Sequence, residues 1–212
     1  HDMWSSRSFS KLSMHSKIVL VTSSVLIVVG AIVIYVFEHA NPGTLAPLST
    51  QGKILGSFFQ SVSPRTAGYN TIDIGRMYDG SLLFIVILMF IGASPASTGG
   101  GIKTSTSAVL ALAIWALIRG RSDAECFGRR ISKEIIYKAF SVVSISFILV
   151  IVVTMALTIT EHAGFMNVLF EVTSAFGTVG LTTGITPSLS TPGKLWIILT
   201  MFAGRVGPVT LA

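Results

Sequence analysis

The chain has 212 residues, 51% of them hydrophobic and 11% charged, with a mean hydropathy of +0.76. A soluble domain carries about twice that charged fraction, so the composition excludes one and points to a membrane. The formal net charge of +6 does not call for nucleic acid, because the basic residues cluster between apolar stretches; the single Cys126 excludes an internal disulfide, and no Cys/His spacing of a metal site occurs.

In chain order, the first apolar run is Ile18 to Phe37, 20 residues without a charge between Lys17 and Glu38. At about 1.5 Å per residue it crosses a hydrocarbon core of about 30 Å. The loop Glu38 to Gly80 contains a shorter apolar stretch, Ile54 to Val62, which is too short to cross and is expected to be a re-entrant or interfacial helix. Ser81 to Ile118 follows, 38 residues long, about 57 Å as one helix and nearly twice the membrane core. It must therefore break, and the segment Gly92-Ala93-Ser94-Pro95-Ala96-Ser97-Thr98-Gly99-Gly100-Gly101 joins a proline to a glycine run, the poorest helix formers. Ala139 to Thr160 is a second charge-free span of 22 residues. The loop Glu161 to Lys194 holds another short stretch, Phe165 to Phe176, and a last apolar segment runs from Leu195 into Ala212. The chain starts at His1 rather than Met and ends without a charged flank, so it is expected to be a piece of a longer one.

Arg7, Lys11 and Lys17 precede the first span, and Arg119, Arg121, Arg129, Arg130, Lys133 and Lys138 precede the second, together nine of fifteen Lys and Arg. That side is expected to be cytoplasmic. The two loops on the other side carry four Lys and Arg against five acids. Each also contains a Thr-x-Gly segment resembling the TVGYG filter of potassium channels: Thr66-Ala67-Gly68-Tyr69-Asn70 and Thr178-Val179-Gly180-Leu181-Thr182. A dehydrated K+ needs backbone carbonyls in place of water, and glycine adopts the angles that turn them to one axis.

The halves match at fixed offsets. Met89-Phe90-Ile91-Gly92 ends 24 residues beyond Gly68, and Met201-Phe202-Ala203-Gly204 ends 24 beyond Gly180; Glu38-His39 and Glu161-His162 close the two spans. The expected fold is an all-α integral membrane protein of helix/pore-loop/helix units, with a broken helix in the first. The divisions are 1–17 cytoplasmic, 18–118 one unit, 119–138 a cytoplasmic connector and 139–212 a second unit, truncated at its C-terminus. Four such loops are needed to surround an ion.

The stretches Ser63 to Asn70, Phe90 to Thr98 with Gly101-Ile102-Lys103, Ser174 to Thr182, and Gly204-Arg205-Val206-Gly207-Pro208 resemble the second half of the Ktr/Trk/HKT superfamily of potassium transporters, closest to KtrB-type membrane subunits. The similarity runs from about Met3 to Ala212, which would make these units the third and fourth of the family's four. The resemblance implies a multi-pass plasma-membrane protein that takes up K+ through a four-repeat pore, with K+ as the only metal and no catalytic residues. It makes Thr66, Ala67, Gly68, Tyr69, Asn70, Thr178, Val179, Gly180, Leu181 and Thr182 the filter, with backbone carbonyls lent by the residues flanking each glycine; Tyr69 and Asn70 are also suited to bracing the loop. It makes Gly92 to Gly101 with Lys103 an intramembrane gate, and Arg205 a positive barrier below the filter able to pair with that gate. It further implies a homodimer, a cytoplasmic KtrA/TrkA-like ring binding ATP/ADP or NAD, and Na+ as an activator.

Two other function classes stay open at this point. Ser94 or Ser97 with Lys103 has the residue types of an intramembrane Ser/Lys hydrolase, although a hydrolase has no use for duplicated glycine loops. A non-transporting scaffold would tolerate loss of either glycine. A phosphate loop at Gly99 to Thr104 is excluded, since Ile102 separates Gly from Lys and an apolar run replaces the required strand.

Overall fold

A computed structural model describes residues 12–95, 99–121 and 123–207. Expectations placed on residues 1–11, on Ala96, Ser97 and Thr98, and on Pro208 to Ala212 lie outside the described residues. Among those described there are seven α-helices: α1 Met14–Glu38, α2 Thr50–Val62, α3 Asp79–Phe90, α4 Thr104–Ile118, α5 Lys133–Thr160, α6 Phe165–Gly177 and α7 Thr191–Val206.

Local sequence accounts for the helix starts. Ser13, Ser49 and Ser190 cap α1, α2 and α7 by accepting the N–H of Ser16, Gly52 and Gly193 on their hydroxyls, and Pro192 stands in the first turn of α7, where a missing N–H costs nothing. With 25 and 28 residues, α1 and α5 reach about 37 and 42 Å, long enough to cross a bilayer. Their outer faces are apolar and bare: Val25, Val28, Ile32 and Val36 of α1 and Phe147, Val152 and Met155 of α5 are each more than half exposed. A soluble chain does not leave such a patch in water. Inside α5 the hydroxyls of Ser146, Thr154 and Thr158 donate to carbonyls four residues earlier, which satisfies these three hydroxyls within the helix.

The stretch 81–118 is shared between α3 and α4. After Phe90 the chain leaves the helix, and a parallel bridge pairs Ile91 with Ile102 before α4 begins at Thr104. The two halves then pack into one body. Ile34, Leu45, Ile85 and Met89 from the first half close around Phe170, Val179 and Leu181 from the second. Phe176 lies 5.8 Å from Phe90, ring to ring, and belongs to a second cluster with Val153, Leu157 and Val172. Gly204 makes the α6 to α7 contact possible, since a Cβ there would stand 1.9 Å from the Phe176 carbonyl oxygen.

Two glutamates fasten the ends of the long helices. Glu38, fully buried, accepts from Asn41 Nδ2 at 2.6 Å, Thr44 Oγ1 at 2.6 Å, the Tyr78 N–H at 3.0 Å and the Ser81 hydroxyl. Glu161 accepts the Ser190 N–H at 2.9 Å and the Ser190 hydroxyl. Tyr78 and Ser190 are the N-cap residues of α3 and α7, so each glutamate ties the end of one long helix to the start of the helix that completes its unit. The Glu-His pairs that mark the ends of the spans in the sequence are thus clamps, through the glutamates.

The stretch 119–138 contains a short hairpin and the start of α5. Glu125–Cys126 and Arg129–Arg130 pair antiparallel, because Phe127 and Gly128 both adopt left-handed φ (48° and 74°), as a two-residue I′ turn requires. The Lys17 ammonium lies 5.8 Å from the Phe127 ring centroid, and α5 begins at Lys133, within the expected connector.

Candidate functional site: two glycine loops over a glycine-rich segment

α2 and α6 each end in one of the Thr-x-Gly loops. Thr66 and Gly68 have φ of 69° and 77°; Thr178 and Gly180, 112 positions later, have 51° and 92°. Ala67 and Val179 between them are not left-handed. Along an extended strand successive carbonyls alternate sides; alternating handedness cancels that flip and lets them point one way. A left-handed φ costs a side chain with a Cβ about 1–2 kcal/mol, and β-branched threonine carries it in both copies, so the surroundings must hold it.

A serine provides part of that hold. Ser63, directly after α2, donates its hydroxyl to the Tyr69 carbonyl, and Ser174 in the last turn of α6 donates to the Leu181 carbonyl at 2.6 Å. Tyr69 and Leu181, expected to lend carbonyls to an ion, direct them to serine, while the bracing role suggested for Tyr69 and Asn70 falls to Ser63. The Tyr69 ring is 72% exposed, and the Asn70 amide reaches only the Ile72 carbonyl, at 3.3 Å.

The loops stand face to face. A Cβ on Gly68 would lie 2.1 Å from the Val179 oxygen, and one on Gly180 would lie 3.9 Å from Gly68 Cα. Against them sits the segment between α3 and α4. The Gly100 N–H donates to Thr178 Oγ1 at 2.7 Å, and a Cβ on Gly99 would be 2.7 Å from Thr66 Oγ1. One glycine thus meets the threonine of each loop, at a distance no side chain permits. The segment closes on itself through Ile102 N–H to Phe90 O at 3.2 Å and Thr104 N–H to Ala93 O at 3.3 Å, and the Lys103 ammonium donates to the Gly99 carbonyl. Gly92 lies against Gly100, where a Cβ would be 2.2 Å from the carbonyl oxygen. Ala93, Ser94, Pro95 and Gly101 complete its described part; Ala96, Ser97 and Thr98 lie outside the described residues.

Arg205 lies in the last turn of α7, close enough to Lys103 for the two charges to repel. Among the described residues it makes no ion pair. No group of metal-ligating His, Cys, Asp or Glu occurs among the described residues.

Several residues of this arrangement carried no role in the sequence reading. Ser63 and Ser174 lie within the quoted motifs but are common turn residues; their signal is a position six or seven residues before the carbonyl they hold. Glu171 is 6% exposed and accepts from Thr182 Oγ1, from the Thr183 N–H at 3.1 Å and from Thr186 Oγ1 at 2.8 Å. Its signal is that it is the one acid in the apolar stretch Phe165 to Phe176.

A family model described as TrkH, cation transport protein, matches residues 5–212. The chain is 44% identical over 209 residues to Ktr system potassium uptake protein B of Bacillus subtilis, covering 99% of this chain and 47% of that protein. It is 38% identical over 214 residues to the potassium/sodium uptake protein NtpJ of Enterococcus hirae, again over 99% of this chain and 47% of the relative, so it spans about half the length of the relatives it matches. The crystal structure of the potassium transporter TrkH from Vibrio parahaemolyticus superimposes with a TM-score of 0.73 at 18% identity, over 94% of this chain and 43% of that one, which establishes the fold. Opposed glycine loops between apolar helices, a matching family model and relatives of this identity lead to one conclusion: the chain belongs to the TrkH family of cation transport proteins, multi-pass proteins of the plasma membrane.

Proposed function

We propose that the protein carrying this chain takes up K+ through a four-walled pore, of which Thr66 to Asn70 and Thr178 to Thr182 form two walls and Gly92 to Gly101 with Lys103 the gate. The observation that carries this reading is the repeated left-handed, non-left-handed, left-handed backbone at 66–68 and 178–180, in loops whose glycines face each other. Such loops offer an ion the carbonyls of residues 66–68 and 178–180, and the ends of α2 and α6 add their partial negative charge. Gly99 and Gly100 against Thr66 and Thr178 close the path on the other side, and Lys103 with Arg205 adds positive charge that a cation must pass. The gate opens by withdrawing this segment, which breaks the bond from Gly100 to Thr178.

The names of the relatives support K+ as the ion and, through the potassium/sodium uptake protein, a place for Na+ as a second ion or activator. The word "system" in one name supports a partner. On the resemblance that partner is a cytoplasmic KtrA/TrkA-like nucleotide-binding ring, with the membrane subunit dimeric and residues 1–17 and 119–138 on the cytoplasmic side. The duplicated loops favour a pore over the Ser/Lys hydrolase and over an inert scaffold.

The test is K+ uptake by cells without their own K+ transporters, expressing the full-length protein with and without Gly180→Ser. Restored growth at low K+, with Na+ admitted by the variant, supports the filter. Identical behaviour of the two removes it.

A further inference from the structure

We propose that Glu171 is a positioning residue for ion discrimination, holding the outer part of the second glycine loop against α6; the proposal rests on reading that loop as a filter. Glu171 and Ser174 are three residues apart, on one face of α6, and they fasten the same strand at consecutive points. Ser174 holds the Leu181 carbonyl, and Glu171 takes the Thr182 hydroxyl and Thr183 N–H on Oε1 and the Thr186 hydroxyl on Oε2. The strand is also locked within itself, since Thr182 Oγ1 accepts the Gly184 N–H at 2.9 Å. Every contact on the carboxylate is a donor, so both oxygens act as acceptors and the charge is used three times. Residues 182 to 186 therefore cannot move away from α6 without breaking bonds to a carboxylate that is 6% exposed.

The first loop lacks this hold. Counting three residues back from Ser63 gives Gln60, which is fully buried and whose side-chain oxygen and nitrogen make no hydrogen bond. The same serine bond is present in both loops; Arg65 ties the entrance of the first to Ser23 of α1 at 3.1 Å, and the carboxylate brace holds the exit of the second, so the exit of the second loop is the stiffer wall. A filter that must tell K+ from a smaller ion depends on a wall that resists closing in around it. The asymmetry assigns that resistance to the Glu171 side.

The test measures K+ uptake and its inhibition by Na+ in the full-length protein, together with the amount of protein in the membrane, for Glu171→Gln, Glu171→Asp, Thr186→Val and Gly180→Ser. Glu171→Gln is expected to lower the preference for K+ over Na+ about tenfold at unchanged protein amount, as loss of a charge-assisted contact implies. Glu171→Asp is expected to recover part of that preference, and Thr186→Val, at an exposed position, to lose two- to threefold by the same estimate. If Gly180→Ser alters the preference while Glu171→Gln and Thr186→Val leave it within about twofold, the brace is overturned and the filter stands. If none alters it, the filter reading falls and takes this proposal with it. Where Glu171→Gln lowers protein amount, Thr186→Val decides.

Discussion

The two units carry the same backbone pattern and are built differently around it. Thr66 and Gly68 match Thr178 and Gly180 in the sign of φ, and Ser63 matches Ser174 in the carbonyl it holds. Yet α3 ends at Phe90, 22 residues past Gly68, whereas α7 continues to Val206, 26 past Gly180. Glu38 is sealed among four donors, while Glu161 is bound through Ser190 at a more open site. Glu171 braces its loop and Gln60 bonds nothing. Under the proposed function the common part is the one an ion would meet, and the differences lie in what supports it.

The largest expected break of this symmetry is at the loop glycines. Gly68→Ala and Gly180→Ala both force alanine into a left-handed φ, costing about 1–2 kcal/mol each. At Gly68 the new methyl also meets the Val179 oxygen at 2.1 Å, whereas at Gly180 the nearest atom is 3.9 Å away. Uptake assays of the two variants are therefore expected to give near-complete loss for Gly68→Ala and a partial loss for Gly180→Ala; equal losses would contradict the packing described here.

The glutamate clamps come next. Glu38→Gln unsettles a buried carboxylate with four donors and is expected to destabilise by about 3 kcal/mol, read as thermal melting in detergent. Glu161→Gln is expected to cost less, and its effect depends on pH. The Ser190 hydroxyl, then its N–H, holds the Glu161 carboxyl below its ordinary value of 4.5. A carboxyl lowered by folding contributes fully above that ordinary value, and the contribution is lost as pH falls through the folded one. The gap in melting temperature between wild type and Glu161→Gln should thus be constant near pH 7 and close on acidification below about 4.5. A gap that widens in acid would show that the clamp acts otherwise.

The smallest effect, and the most direct comparison, is at Gln60 and Glu171. Gln60→Met replaces an unbonded buried amide by an apolar side chain of similar length and is expected to be neutral or to stabilise by about 1 kcal/mol. Glu171→Met strips three donors of their acceptor and is expected to destabilise. Measured in one melting series, a loss of stability at Gln60 would mean that its amide has a partner in the full-length protein.

Much of the architecture was legible in the sequence because the membrane imposes a length scale. A charge-free run of 20 residues bounded by Lys17 and Glu38 becomes α1, extended by four residues to its Ser13 cap, and the run from Ala139 becomes α5, extended to Lys133. The division of the stretch 81–118 followed from its excess length and its Pro and Gly content. The left-handed φ values at 66 and 68 recur 112 positions later at 178 and 180. The hairpin at 125–130 was hidden because Phe127 carries no turn signal, its left-handed φ being set by pairing of the strands around it.

By itself, then, the sequence determined the apolar segments and where the Pro-, Gly- and Thr-x-Gly-containing stretches fall between them, since length, hydropathy and glycine content act locally along the chain. Tertiary structure alone decided that the loops face each other, that Gly99 and Gly100 stand against their threonines, and that Ser63, Ser174 and Glu171 hold their exits. The physical reason is that the decisive contacts join segments far apart in the chain, 78 positions in the bond from Gly100 to Thr178 and 111 in the approach of Gly68 to Val179. Their partners are chosen by packing, and nothing in the local pattern of either segment names the other.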